Sequence, residues 1–181
     1  PINILVTDPK GNLSLGGVMG GYDSEIKDST TDVLLEAAAW NFINIRRTAN
    51  QLDIHTEASF RFSRGVHPSQ ALLGAKRAAD LLRRLAGGMI CGNIYDYYPY
   101  SPEDVTVRLN YDYGRQLSGL DLSGEEMADL LRRLEFEVVV HDDHLVATVP
   151  DHRMDIEGPH DLVEEFCRVY GYGRIPSAVL S

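Results

Sequence analysis

Four glycines fall within the six residues Gly16–Gly21, with the sequence GGVMGG. Because glycine has no Cβ, such a run lets the backbone adopt positive φ and approach a neighbouring group or a ligand closely. The run lacks the Gly-x-Gly-x-x-Gly spacing of a dinucleotide site and the Gly-Lys-Ser/Thr ending of a nucleoside triphosphate loop. It therefore indicates either a glycine-rich strand corner or one wall of a binding pocket.

The segment His55–Gly65, with the sequence HTEASFRFSRG, has the composition of a pocket wall. Thr56 and Ala58 are small, while Arg61 and Arg64 bring guanidinium groups that suit anionic or polar contents. The arginines have two possible roles: steering a nucleic-acid terminus, or bracing neighbouring carboxylates, which is the more common role in such a strand–loop segment.

A single carboxylate, Glu36, lies in the apolar run Leu34–Ala38 between these two segments. A charge in such a run is usually paired, exposed at an edge or functional. The structural alternative to a functional role is an ion pair with Arg46 or Arg47.

Charge is distributed unevenly along this chain of 181 residues, whose net charge is −10. Residues 1–100 carry ten acidic and ten basic side chains, whereas residues 121–165 carry fourteen acidic residues and three arginines. A free-standing nucleic-acid-binding domain should show a basic face. We therefore expect the C-terminal part to contact a protein partner or a cation rather than to bind RNA tightly by itself.

The sequence also indicates the cellular compartment. No run approaches the roughly 18 apolar residues of a membrane span. The strand-like start at Ile2–Val6 indicates a fragment of a longer protein. Cys91 and Cys167 lie far apart in apolar surroundings, so we expect two buried free thiols in a reducing cytoplasm.

The patterning of residues 1–100 predicts one mixed module of strands and helices. Asn41 is a candidate N-cap, and Pro68 suits the first turn of a helix that Gly87 and Gly88 would end. The predicted elements are strands near 2–7 and 13–19, a buried strand at Thr31–Ala38, helices at Asn41–Leu52 and Pro68–Leu85, and a strand at Met89–Tyr97.

The proline-rich word Pro99–Pro102 predicts a boundary between two domains, 1–100 and 101–181, each of the α+β class. In the second domain, Ser123 and Glu126 form a capping-box signature that opens a helix. The predicted elements are a strand at Val105–Leu109, helices near 111–117, from Ser123 to about Leu134 and over Pro159–Tyr170, and hairpin strands at Glu137–His141 and His144–Val149.

Acidic residues of the C-terminal helix are spaced for a common face. Asp161, Glu164 and Glu165 lie at i, i+3 and i+4, and Asp155 precedes the helix. Carboxylate oxygens are the ligands that Mg²⁺ prefers, usually with several waters retained. The alternative is a solvated face on which carboxylates pair with nearby arginines, Glu164 with Arg168 and Asp155 with Arg153.

Histidines provide no further site. His55 lies near Ser59, yet nothing in the sequence supplies the orienting acid that a nucleophile–base pair needs. His141, His144 and His152 surround the predicted hairpin without a matched pair of ligands, and we expect them to face solvent.

Taken in order, the sequence motifs of this chain resemble those of one family, the β subunit of bacterial phenylalanyl-tRNA synthetase. The resemblance covers nearly the whole chain. It implies the C-terminal part of the editing module followed by a small winged-helix-like module with a β-hairpin. The matching words are GGVMGG at 16–21, LLEAA at 34–38, IRRTA at 45–49, HTEASFRFSRG at 55–65, VPDHRMDI at 149–156, DLVEE at 161–165 and RVYGY at 168–172.

The resemblance implies an editing pocket formed by Gly17, Gly20, Glu36, Thr56 and Ala58. Glu36 would accept a hydrogen bond from the hydroxyl that distinguishes tyrosine from phenylalanine, an addition that an apolar synthetic pocket rejects poorly. Thr56 would position the attacking water or the ester, and Ala58 would leave room for the aromatic ring. Deacylation would need a positioned water and a polarised ester rather than a protein nucleophile.

The resemblance also implies Mg²⁺ ligands at Asp155, Asp161, Glu164 and Glu165, near a partner α subunit. The parent would be a cytoplasmic, ATP-dependent ligase of phenylalanine and tRNA(Phe), assembled as an αβ-type heterotetramer, with neither DNA nor a membrane as partner. This chain would lack the synthetic site and contribute part of the site that hydrolyses tyrosyl-tRNA(Phe). The alternative is a structural, subunit-interface fragment without editing activity.

Overall fold

The structure, a computed structural model, describes residues 3–92, 94–99 and 102–176. The chain divides into two compact units, Pro1–Ser101 and Pro102–Ser181. Tyr100 and Ser101, in the middle of the predicted domain boundary, lie outside the described residues. No helix in the described ranges is long and apolar enough to cross a membrane.

The first unit begins with a three-stranded antiparallel sheet in the order β1–β2–β3. Its first turn is closed by Asp8, whose carboxylate accepts hydrogen bonds from the backbone N–H groups of Lys10 and Gly11. The predicted strand near 13–19 is interrupted at residues 16–18, where the chain turns. The strands are β1 (Leu5–Asp8), β2 (Gly11–Leu15) and β3 (Met19–Gly20).

Three helices follow the sheet: α1 (Phe42–Leu52), α2 (Glu57–Phe62) and α3 (Ser69–Ala86). The predictions of α1 and α3 are confirmed, and the Asn41 side chain caps α1 by accepting from Asn44 N–H. The short helix α2 was not predicted. Its signal is the word Thr56-Glu57-Ala58-Ser59, in which Thr56 and Ser59 cap each other across the first turn.

Two strand predictions in the first unit are wrong for the residues that the structure describes. Residues 31–38, 89–92 and 94–97 form no strand, and Leu34 is 95% exposed. An apolar run becomes a strand only where a neighbouring strand takes its hydrogen bonds and another layer covers its side chains. Neither is available to these runs among the described residues. Cys91 belongs to the second run and is exposed, contrary to prediction.

The second unit packs three helices against a three-stranded antiparallel sheet in the order β4–β6–β5. The register pairs Leu109 with Leu145 and Val138 with Ala147. The predicted hairpin and all three predicted helices are confirmed, and so is the α+β class. The elements are β4 (Thr106–Asn110), α4 (Tyr111–Ser118), α5 (Gly124–Arg132), β5 (Glu137–Val140), β6 (His144–Thr148) and α6 (Pro159–Tyr170).

A continuous core stabilises the second unit. Alternate residues of β4 and β6 turn inward, and α5 and α6 cover them at helical spacing. Cys167 lies in this core, as predicted, and burial raises the pKa of its thiol. The fully buried members with the largest side chains are Leu109, Met127, Leu131, Leu145, Leu162 and Phe166.

Tyr111 connects α4 to the hairpin and fixes the start of α5. Its hydroxyl lies 2.8 Å from the carbonyl oxygen of His141 and 2.7 Å from that of His144. A Cβ on Gly124, the first residue of α5, would lie 2.3 Å from the Tyr111 Cζ atom. Tyr111 is buried and its hydroxyl is bonded to the hairpin, so the ring cannot move aside without losing a hydrogen bond.

We predict that Gly124→Ala destabilises the second unit, although alanine is the better helix former. The added methyl group must displace the Tyr111 ring, and such overpacking costs about 1–3 kcal/mol. Urea unfolding followed by tyrosine circular dichroism measures the change. Gly173→Ala, where a Cβ would meet nothing within 4 Å, is the control. A neutral or stabilising Gly124→Ala contradicts this role for the ring.

Candidate functional site

The glycine run forms a tight corner between β2 and β3. Gly17 has φ of +67°, and a Cβ there would lie 2.7 Å from Trp40 Cδ1 and 2.9 Å from Ile45 Cδ1. A Cβ on Gly20, in contrast, would meet nothing within 4 Å. Gly17 is therefore required by backbone conformation and packing, whereas Gly20 leaves open space.

A cavity of about 470 Å³ lies over this corner. We call it the glycine cavity. Its walls come from the corner, residues 35–38, Trp40, α2 and α3. Among the described residues that line it, Glu36 is the one ionisable side chain, and Ser14 and Gln70 are the other polar ones. The glycine cavity has the volume and the mostly apolar lining of a small-molecule site.

Four of the five residues predicted for a pocket line the glycine cavity: Gly17, Gly20, Glu36 and Ala58. Glu36 is exposed, and the part of the chain that the structure describes contains no ion pair between Glu36 and Arg46 or Arg47. The carboxylate is therefore available to a ligand. The assignment of these residues to substrate binding stays a prediction.

Thr56, the fifth residue, does not line the glycine cavity. Its hydroxyl donates to the carbonyl oxygen of Val18 at 2.6 Å and accepts from the Ser59 N–H at 3.0 Å. Val18 and Ser59 are both buried. The single hydroxyl proton of Thr56 is thus used to tie α2 to the glycine corner.

A second cavity, of about 340 Å³, lies between α1 and α2, and we call it the arginine cavity. Arg46 and Arg64 line it, together with Asn50, Thr56 and Phe60. The sequence indicated that Arg61 and Arg64 could contact anionic or polar contents, but it did not indicate this cavity, in which Arg46 of α1 lies with Arg64.

The two arginines of the segment 55–65 differ in their partners. Arg61 pairs with Glu57 at 3.1 Å, as the bracing role predicts. Arg64 instead donates to the carbonyl oxygen of Phe60 at 2.7 Å and stacks over the Phe60 ring, 3.6 Å from its centroid. The bracing role is therefore wrong for Arg64 among the described residues.

Two of the predicted Mg²⁺ ligands, Asp155 and Glu165, form ion pairs with arginines in the second unit. Arg153 forms a two-point contact with Asp155, at 2.9 and 2.6 Å, and reaches buried Glu165 at 2.7 Å. Arg168 also contacts Glu165, at 2.5 Å. The hydrogen bonds from Arg153 are the main reason why the pKa values of Asp155 and Glu165 lie below their usual range, and Arg168 adds to the effect at Glu165.

Asp161 and Glu164 do not join this network. Asp161 accepts from the backbone N–H groups of Glu157 and Gly158, which lowers its pKa and closes the N-terminus of α6. Glu164 is exposed while Glu165 is buried, so the two do not share one face. Of the proposed alternative pairs, Asp155–Arg153 is present, whereas Arg168 pairs with Glu165 instead of Glu164.

The carboxylates as placed do not fit a magnesium centre, because an arginine occupies the space between two of them. The described residues contain no group of three or more His, Cys, Asp or Glu side chains that could hold a metal ion. The magnesium assignment of Asp155, Asp161, Glu164 and Glu165 stays a prediction.

The histidines of the hairpin do not all face solvent. The rings of His141 and His144 stack with centroids 4.5 Å apart, and the His144 side chain is only 17% exposed. His144 lies 2.6 Å from the carboxylate of Asp143, which lowers the pKa of that carboxyl. The prediction of a solvent-facing residue is therefore wrong for His144.

Family models divide the chain as the two units do. Residues 1–87 match the B3/4 domain, and residues 107–172 match the tRNA synthetase B5 domain. The chain is thus of the class that joins a B3/4 domain to a tRNA synthetase B5 domain.

Relatives are similar to almost the whole chain. The phenylalanine–tRNA ligase β subunits of Thermotoga maritima, Geobacter sulfurreducens and Bacillus subtilis are 40%, 42% and 36% identical to it, each over 98% of this chain and 22% of the relative. The chain belongs to the family of phenylalanine–tRNA ligase β subunits, and it spans about a fifth of the length of these relatives.

One solved structure is also similar. It is an N-terminal fragment of the phenylalanyl-tRNA synthetase β subunit from Pyrococcus horikoshii, with 30% sequence identity and a TM-score of 0.38. The match covers 41% of this chain and 21% of that one.

We predict that Thr56→Val destabilises the first unit by about 1–3 kcal/mol, because it leaves the Val18 carbonyl and the Ser59 N–H without their partner. Thr56→Ser keeps the hydroxyl and should cost much less. Trp40, the single tryptophan of the chain, reports the unfolding by fluorescence. Equal stability of all three proteins would show that the hydroxyl does not tie α2 to the corner.

We predict that the second unit loses stability in acid. Because the folded-state pKa values of Asp155 and Glu165 are lowered, their contribution is complete above the unfolded-state values of about 4 and is lost as pH falls through the folded-state values. Hydrogen exchange of the α6 amides between about pH 6 and pH 3 measures the loss. Glu165→Gln should flatten this dependence, and an unchanged dependence would contradict the role of the network.

Proposed function

We propose that this chain is part of a phenylalanine–tRNA ligase β subunit and contributes to the site that recognises and hydrolyses tyrosyl-tRNA(Phe), as well as to the architecture of the subunit. The observation that carries the proposal is the position of Glu36. It lies on the wall of a mostly apolar cavity, with its carboxylate unpaired among the described residues. The relatives that bear the ligase name are about five times as long as this chain. The ligase reaction, ATP use, the α-subunit partner and a cytoplasmic location are therefore proposed for the parent protein.

The chemistry of discrimination follows from one hydrogen bond. An apolar pocket cannot strongly reject a substrate that adds a hydroxyl, so a synthetic site for phenylalanine admits some tyrosine. A pocket with a carboxylate acceptor selects in the opposite sense. When phenylalanine enters, the carboxylate loses water and gains no hydrogen bond, and that desolvation cost disfavours binding.

The other residues give this pocket its shape. Ala58 and Gly20 leave space for a ring, because neither places atoms beyond Cβ in the cavity. Gly17 allows Trp40 to pack against the corner. Thr56 acts by holding α2 against the corner instead of touching the ester, since its hydroxyl is already bonded on both sides.

The glycine cavity supplies the recognition half of an editing reaction. No nucleophile–base pair is part of this proposal: attack by a positioned water on the ester suffices, with the carbonyl polarised by hydrogen-bond donors. We assign Glu36 to recognition of the side chain and not to proton transfer.

The test is deacylation of tyrosyl-tRNA(Phe) by the complete parent ligase carrying Glu36→Ala. Loss of a hydrogen bond to a charged acceptor is worth about 1.5–3 kcal/mol, so we expect kcat/KM to fall about 10- to 200-fold. Glu36→Gln keeps a neutral acceptor, so its kcat/KM should lie between those of the unmodified enzyme and Glu36→Ala. Charging with phenylalanine should be unchanged.

Asp32→Ala is the matched control, because it removes an exposed carboxylate from the same segment outside the cavity. Hydrolysis that is unaffected by Glu36→Ala would remove Glu36 from the site. No hydrolysis by the unmodified enzyme would instead favour the structural, subunit-interface role.

A further inference from the structure

The arginine cavity contains two guanidinium groups that no carboxylate neutralises in the part of the chain that the structure describes. Four other arginines of the first unit are paired: Arg61 with Glu57, and Arg77, Arg83 and Arg84 with Asp80. Arg47 has no carboxylate partner among the described residues either, but it does not line the cavity. Arg46 and Arg64 instead donate to backbone carbonyl oxygens, those of Ser63 and Phe60. Their positive charges therefore remain available.

These carbonyl contacts also hold the guanidinium groups in place. Arg46 Nη2 lies 2.8 Å from the Ser63 oxygen, and Arg64 Nη1 lies 2.7 Å from the Phe60 oxygen. A guanidinium group has five N–H donors in a fixed plane, and one contact leaves most of them for a ligand. Such a group loses little further freedom when it binds an anion, which favours tight binding.

An aromatic side chain lies beside these charges. Phe60 is 57% exposed, although it is large and apolar, and the Arg64 guanidinium stacks over its ring. Asn50 adds an exposed amide to the same cavity. Guanidinium groups for phosphate and planar surfaces for bases are the two components of single-stranded nucleic-acid binding.

The local charge agrees with an anionic ligand. Residues 41–66 carry four arginines and two acidic side chains, within a chain whose net charge is −10. This segment is thus one of two basic stretches of the chain, the other being α3, and its positive field would attract a polyanion.

We propose that the arginine cavity binds the phosphodiester backbone of single-stranded RNA, with Arg46 and Arg64 on phosphate and a neighbouring base against the Phe60–Arg64 stack. The inference rests on the proposed function for the source of the RNA, which would be the unpaired acceptor end of the aminoacylated tRNA. The segment formed by α2 and the two residues after it would then serve two ligands: Ala58 lines the glycine cavity, and Phe60 and Arg64 line the arginine cavity.

The test is binding of a fluorescein-labelled single-stranded decaribonucleotide to the 181-residue chain, measured by anisotropy over a range of salt concentrations. We compare Arg46→Gln/Arg64→Gln with Arg77→Gln/Arg83→Gln. The control removes the same charge from exposed positions on α3, outside both cavities.

The cavity variant should weaken binding at least tenfold, whereas the control should change it less than twofold. The slope of log K against log salt should fall by about 0.7 for each phosphate that an arginine no longer neutralises. Phe60→Ala should weaken binding with no change in this slope, because stacking releases no counterions. Trp40 fluorescence checks that each variant is folded, and Arg46→Lys/Arg64→Lys, which keeps the charge, should bind with intermediate affinity.

Equal weakening in the control variant would show general attraction by the field and overturn the proposal. Equal affinity for an oligoglutamate peptide or for inorganic phosphate would also overturn it, because the site would then read charge alone. RNA binding in this assay does not depend on hydrolysis. If Glu36→Ala leaves deacylation unchanged while the cavity variant no longer binds RNA, the proposed function fails and the RNA site stands. If Glu36→Ala abolishes deacylation while the cavity variant binds RNA as the unmodified chain does, the proposed function stands and the RNA site fails.

Discussion

Close packing at Gly17 determines the arrangement of the first unit. The indole of Trp40 and the side chain of Ile45 occupy the space where any other residue would place a Cβ. This packing fixes α1 against the sheet corner, and the Thr56–Val18 hydrogen bond fixes α2 there as well. Both cavities therefore depend on the same backbone corner, since α2 separates them and contributes residues to each.

This arrangement gives one short helix two functions in the proposed mechanism. The side of α2 that carries Ala58 faces an apolar cavity where an aromatic ring fits. The other side presents Phe60 to solvent, and Arg64 lies just beyond the C-terminal end of the helix. The aminoacylated end of a tRNA needs an apolar surface for the aromatic ring of the amino acid and a basic surface for the phosphates of the nucleotides that carry it.

The second unit uses charge in a different way. Arg153 lies between Asp155 and Glu165 and neutralises the Glu165 carboxylate, which would otherwise be costly to bury. The acidity of this unit is thus partly internal structure and partly exposed surface. Any cation bound by Asp155 and Glu165 must first displace Arg153, so the family resemblance is not by itself enough to predict a magnesium site in this chain.

Much of the fold could be predicted from the sequence. Capping residues such as Asn41 and Ser123 identified helix starts, and the strands of the second unit were predicted within a residue or two of their observed bounds. Such local signals predict a helix or strand correctly where the rest of the unit covers its apolar side and, for a strand, provides a neighbouring strand. They fail at Leu34 and Tyr95, because whether an apolar run pairs as a strand depends on a neighbour that the local sequence does not specify. The candidate site shows the same division: the resemblance brought Glu36 and Ala58 to attention, but it could not indicate that the Val18 carbonyl consumes the Thr56 hydroxyl.

The proposed mechanism depends above all on recognition of the phenol hydroxyl by the Glu36 carboxylate. Calorimetry of L-tyrosine and L-phenylalanine binding to the parent ligase, with its synthetic site blocked by a phenylalanyl-adenylate analogue, measures this recognition. We expect tyrosine to bind at least tenfold more tightly than phenylalanine and Glu36→Ala to abolish the difference. Equal affinities in the unmodified protein, or a preference that survives Glu36→Ala, would contradict the mechanism.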